Sequence, residues 1–106
     1  MARRRRSDCR HAVYMITNTE TDDYYIGITV CAGRGLTVNR ALKIRWQKHV
    51  RRALTENKPW SLCRSIRATG PEQHRIELLE TVRGRAAAHQ RERELIREYN
   101  PQLNVA

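Results

Sequence analysis

With 106 residues, 40% of them apolar and 30% charged, the chain has the size of one domain and buries about two-thirds of the surface its unfolded form exposes. One core is expected, a second is excluded, and with no Phe, two Trp and four Tyr that core must be mostly aliphatic. A formal net charge of +10 gathers polyanions, so nucleic acid is the first partner to consider, against the plainer reading of a solvated positive face; no apolar run approaches a membrane span.

Residues 1–10 read as a disordered basic arm ahead of a single domain spanning 11–106. Its Arg3, Arg4, Arg5 and Arg6 lack the apolar stretch of an export signal behind them. They either follow a phosphate backbone, with strong salt dependence, or form an inert tail. Cys9, Cys31 and Cys63 are an odd number at wide spacings, which fits a reduced, cytoplasmic setting. Cys9-x-His11 is at most half of a zinc site, because no second Cys/His pair follows at zinc spacing.

From His11 to Thr17 and from Tyr24 to Val30 the chain is rich in β-branched and aromatic residues, with polar turn material from Asn18 to Asp23. This predicts a β-hairpin. A turn near Thr19 to Thr21 brings Tyr14 and Tyr25 onto facing strands within a residue or two of each other, with the register left open. Cys31-Ala32-Gly33-Arg34-Gly35 reads as a flexible loop. Between about Thr37 and Asn57, Leu42, Trp46, Val50 and Ala53 recur at helical spacing, with Arg45, His49 and Arg52 on the neighbouring stripe.

Pro59 is expected to open a second helix, marked by Leu62, Ile66 and Ala68 and ended by Gly70-Pro71. His74 to Val82 is long enough for a third strand, although Ile76, Leu78, Leu79 and Val82 follow a mixed period. A last helix from about Gly84 to Tyr99 carries Ala88, Leu95, Ile96 and Tyr99 on one side and stops at Asn100-Pro101. This order gives an α+β fold, a small three-stranded, mostly antiparallel sheet packed between helices.

Glu92 lies four positions after Ala88 and three and four before Leu95 and Ile96, on the inward stripe of the last helix. A carboxylate left unpaired there costs several kcal/mol, so a metal ion or a guanidinium partner is expected. Glu94 and Glu98, on other faces, are read as solvated. Arg45 and His49, one helical turn apart, direct a phosphate-gripping cation and a proton acceptor at one point. His11, His74 and His89 show no comparable partner and receive no role.

Ala12-Val13-Tyr14 and Tyr25-Ile26-Gly27, Arg45-x-x-x-His49 with Trp46, the Ile66 to Gly70 passage before the third strand, and Glu92-x-x-x-Ile96 followed by Asn100-Pro101 and Asn104 together resemble the GIY-YIG nucleases. The resemblance runs from about Ala12 to Asn104 and takes in six polar positions in order. Ala12 stands where the family motif has Gly, and the stretch from Gly27 to Arg45 is longer than in compact members. The Gly33 to Arg40 loop then reads as an insertion that contacts DNA or caps the sheet.

The resemblance implies an endonuclease that hydrolyses DNA phosphodiester bonds with Mg2+, or Mn2+, held by Glu92. Its catalytic residues would be Tyr14, Tyr25, Arg45, His49, Glu92 and Asn104. Tyr14 would be the general base with its pKa depressed by nearby cations, His49 would relay or hold the proton, and Tyr25 would orient the nucleophile or a metal water, the reverse tyrosine assignment staying open. Asn104 would fix Glu92 or the rim of the site. Candidate nucleic-acid contacts are Arg3 to Arg6, Arg34, Arg40, Lys48 and Arg52. A double-strand break would need a homodimer on DNA or two successive nicks, and a phage or mobile-element, restriction or repair setting all fit. The competing classes are a non-catalytic basic nucleic-acid-binding module of the same fold and a basic protein that binds an acidic protein partner.

Overall fold

In a computed structural model, which describes residues 9–31 and 37–104, the elements follow in the expected order. They are β1 (Arg10–Asn18), β2 (Tyr24–Val30), α1 (Val38–Leu54), α2 (Ser61–Thr69), β3 (His74–Arg83) and α3 (Arg85–Tyr99), with 3-10 turns at Pro71–Gln73 and Gln102–Asn104. The sheet has strand order β2-β1-β3, and both pairings are antiparallel. The fold is thus α+β, with α1 and α2 on one face of a three-stranded sheet and α3 on the other. The arm residues Arg3 to Arg6, and Arg34 with the rest of 33–36, lie outside the described residues, whereas 37–40, expected as part of the same loop, are the cap and first turn of α1.

Central β1 is buried on both faces. Ala12, Tyr14 and Ile16 point towards α1 and α2, while Val13 and Met15 point towards Leu95 and Ile96 of α3. A strand covered on both sides reads as a continuous apolar run rather than an alternating one, which is how residues 12–16 read. Asn18 closes the strand. Its Oδ1 accepts from the backbone N–H groups of Glu20 and Thr21, and its Nδ2 donates to Ser65 and Thr69 of α2. Ser65 also bonds His74 at the start of β3, so this buried amide ties the hairpin turn, α2 and β3 together.

The mixed period of β3 has a local cause. Tyr14 faces Leu78, but Val13 faces Glu80, so Leu79 is one extra residue in β3 and the pleat changes phase there. Ile76 therefore packs on the α1/α2 side, whereas Leu79 and Val82 pack on the α3 side. Glu80 is turned the same way and pairs with Arg91 of α3.

Element ends differ from expectation in ways capping explains. Thr37 is the N-cap of α1, its side chain accepting from the Arg40 N–H at 3.1 Å, and α1 ends at Leu54 rather than near Asn57, which sits at a left-handed φ of 50°. Pro59 does not open α2; the helix starts two residues later, after Trp60. The third buried residue of α2 is Cys63, not Ala68, which is exposed. Tyr99 is likewise on the surface, its ring edge-on to Tyr24. Among the described residues no helix is long and apolar enough to cross a membrane.

Candidate active site

The cap at Thr37 sets the phase of α1. Leu42, Trp46 and Ala53 then enter the core, and Arg45, His49 and Arg52 follow at steps of four and three along one face. His49 is drawn inwards until only 4% of it is exposed. Its Nε2 lies 2.9 Å from the hydroxyl of Tyr14, and Arg45 Nε donates to the same hydroxyl at 3.3 Å. Tyr14 itself is fully buried.

The strand register brings in Tyr25. Tyr25 pairs with Ile16 and Gly27 with Tyr14, so all four residues share the α1 face of the hairpin. The Tyr14 and Tyr25 rings lie 6.2 Å apart, and Tyr25 meets the His49 ring edge-on at 5.4 Å. Gly27 makes this possible, since a Cβ there would stand 2.7 Å from the Tyr14 hydroxyl oxygen.

Burial governs the protons in this cluster. It raises the Tyr14 hydroxyl above its ordinary value, reinforced by neighbouring Tyr25, and the opposing influence of Arg45 is weaker. The expected depression of Tyr14 by nearby cations is therefore corrected: desolvation wins, and the group rests as a neutral phenol. His49 is pushed down to about 3, first by burial and then by the charges of Arg45 and Arg52. It is a neutral imidazole at physiological pH, with Nε2 within hydrogen-bond reach of the Tyr14 hydroxyl. Tyr25 is also raised by burial, with Arg45 pulling it down and Glu92 pushing it up.

Beside the cluster a cleft of about 520 Å³ crosses the outer edge of β2 between α1 and α3. It is lined by Tyr25, Arg45 and Lys48 on one side, by Arg85, His89 and Glu92 of α3 on the other, and by His11 and the end of β2. Among the described residues Glu92 is its one carboxylate. The Glu92 side chain is 21% exposed, and its contact is with His89 Nδ1 at 3.8 Å. Burial raises its pKa, while His89, Arg93 and Arg45 pull it down. The geometry gives Glu92 a solvent-facing cleft wall, not the guanidinium clamp that was one of the two expectations for it.

Asn104 resolves differently. Its Oδ1 accepts from the Ile26 N–H and its Nδ2 donates to the Ile26 carbonyl, both at 2.8 Å. It does not hold Glu92 but completes the open edge of β2 between Tyr25 and Gly27, the rim of the site. Of the other expected contacts, Lys48 lines the cleft, Arg40 is exposed in the first turn of α1, and Arg52 lies 5.8 Å from the centroid of the Trp60 ring.

Sequence reasoning missed three cleft residues. His89 stands three positions before Glu92 on the same helix, a spacing that could have flagged it. His11 meets the cleft opposite Val30 in the β1–β2 register, which turns on the hairpin register left open above, and Arg85 meets it through the placement of the start of α3, which no local pattern encodes. No family model, curated protein or solved structure matches the chain.

Proposed function

We propose that the chain is a metal-dependent endonuclease of the GIY-YIG type that hydrolyses DNA phosphodiester bonds. The observation that carries this reading is the buried Tyr14–His49 pair, bonded by Arg45 and meeting through Arg45 and Tyr25 a cation-lined cleft that holds the half-buried carboxylate of Glu92. A purely structural arrangement has no need of a tyrosine, a neutral imidazole and a lone carboxylate converging on a polar cleft.

The donor set suits Mg2+ or Mn2+. Among the described residues no group of three or more His, Cys, Asp or Glu is gathered round one point, so an all-protein cage is not offered. Mg2+ keeps most of its waters and takes one or two carboxylates plus substrate phosphate, which Glu92 and a bound phosphodiester supply. When bound it would neutralise charge on the scissile phosphate and the departing oxygen.

The remaining work falls to the chain. Arg45 and Lys48 hold the phosphate and oppose the charge that grows on it. Tyr25, the tyrosine that lines the cleft, faces the attacking water, and Tyr14 stands behind it; the reverse assignment of the two tyrosines is thereby favoured. A proton leaving the water passes along hydroxyls to His49 Nε2, with no free phenolate required. The phosphodiester also offsets Arg45 and Arg52, the two cations that add to burial in holding His49 down, so substrate arrival raises the imidazole's proton affinity.

One such site cuts one strand, so double-strand cleavage takes a homodimer or two nicks. The odd number and wide spacing of Cys9, Cys31 and Cys63 fit a reducing, cytoplasmic setting. The test is incubation of supercoiled plasmid with Mg2+ or Mn2+: wild type converts it to the nicked form, and Glu92→Ala does not. If both leave it intact across metals and salt, the enzyme reading is wrong, and metal-independent, salt-sensitive binding would then identify the non-catalytic module.

A further inference from the structure

The connection from α1 to α2 carries an aromatic residue that the nuclease reading does not use. Trp60, between α1 and α2, is 41% exposed, and the core beneath is filled by Trp46, Leu62 and Ile66 instead. The Arg52 guanidinium lies 5.8 Å and the Lys58 ammonium 5.7 Å from its ring centroid. The corner that presents it is braced by hydrogen bonds. Arg67 of α2 donates to the carbonyls of Ala53 and Lys58, at 3.1 and 2.8 Å, clamping the end of α1 to the connection.

Arg52 joins this corner to the cleft, because its charge also acts on His49 and Tyr25. Arg45, Lys48 and Arg52 lie at helical steps of three and four, a cationic strip running along α1 for about 10 Å, the length of roughly three stacked nucleotides. A partly exposed indole at the end of such a strip has the chemistry that receives a base once the long Arg52 or Lys58 side chain swings from over the ring to the nucleotide's phosphate, since every base offers a π-face and stacking tolerates any sequence. Inside a duplex both faces of every paired base are covered by its neighbours. Away from duplex ends, only an unpaired base is available.

We propose that Trp60, flanked by Arg52 and Lys58, stacks an unpaired nucleotide a few positions from the scissile phosphate, so that the preferred substrate is DNA with a single-stranded segment beside a duplex. The proposal rests on the nuclease reading for its partner, nucleic acid, but not for its chemistry. Trp60 is a specificity residue and touches no reacting atom.

The experiment is a binding titration in EDTA, where nothing is cut, of a labelled blunt duplex and of the same duplex carrying a short single-stranded tail. Wild type should bind the tailed DNA about tenfold more tightly. Trp60→Leu, which keeps apolar bulk without a π-face, should lose that preference while its blunt-duplex affinity stays within about twofold. Trp60→Phe should retain most of it, and thermal unfolding checks that each variant folds. The proposal is overturned if wild type does not discriminate, if Trp60→Leu discriminates equally well, if both affinities fall together, or if neither DNA binds. Tail-dependent binding without metal-dependent nicking would sink the nuclease reading and leave this one standing.

Discussion

Gly27 lies beneath the ring of Tyr14. A Cβ at that position would come within 2.7 Å of the Tyr14 hydroxyl oxygen and 2.8 Å of both Tyr14 Cζ and Tyr25 Cε1. The glycine is present for a close approach of side chain to backbone, not for an unusual backbone angle. Gly27→Ala should push both rings off their positions, lowering stability by about 1–3 kcal/mol and reducing nicking more than the lost stability accounts for. Unchanged unfolding temperature and unchanged nicking would mean that the rings are not held this way.

The two tyrosines should separate under the same substitution. Tyr14→Phe removes a hydroxyl that engages both His49 and Arg45 in the core, leaving buried polar groups unmatched at a cost of about 1–3 kcal/mol. Tyr25→Phe, on the cleft wall, should cost less stability yet lower single-turnover cleavage at least as far. Urea unfolding and single-turnover rates on both variants decide the matter; equal stability losses would contradict the partition into buried relay and cleft-facing group.

His49 gives the protein an acid sensitivity with a defined sign. The unfolded chain protonates this imidazole below its ordinary value of 6.5, whereas the folded protein resists until about 3. The unfolded state therefore binds more protons across that window, and stability present in full above pH 6.5 is lost as pH falls towards 3. The contribution is on the order of a few kcal/mol. His49→Gln keeps a hydrogen-bonding group without the titration, so its unfolding free energy should fall less steeply between pH 6.5 and 4 than that of wild type; parallel curves would remove His49 as the cause.

Much of this arrangement was open to sequence reasoning because it is local. The hairpin, the Arg45 to His49 spacing and the stop at Asn100-Pro101 follow from periods and turn chemistry within a few residues. What escaped depends on long-range pairing. The extra residue at Leu79 becomes visible only when β3 is laid against β1, and it is what turns Glu80 towards Arg91. The buried bonds of Asn18 to Ser65 and Thr69 span the chain, so the sequence shows only a turn residue. Desolvation of Tyr14 is also a property of the packed fold: the nearby cations were foreseen, but not that burial would outweigh them.

Asn104 should behave as a strand-edge residue. Its paired bonds to the Ile26 backbone occupy an edge that would otherwise present free peptide groups. Asn104→Ala should cost about 1–2 kcal/mol and increase amide exchange in β2, with cleavage falling in step with loosening around Tyr25. Amide hydrogen exchange reads this directly. Unaltered protection at Ile26 would show that the asparagine does not brace the edge.

Glu92 should be a carboxylate kept against the interest of the empty fold. Burial raises its pKa, so the folded protein holds a proton there more readily than the unfolded chain, and ionising the group as pH rises past its ordinary range lowers stability. Glu92→Gln removes that charge while preserving size. In EDTA at neutral pH its unfolding temperature should equal or exceed that of wild type, although nicking is lost. Added Mg2+ or Mn2+ should raise the unfolding temperature of wild type by mass action and leave the variant unmoved. A variant less stable than wild type in EDTA would instead mark Glu92 as a structural residue whose interactions hold α3 in place.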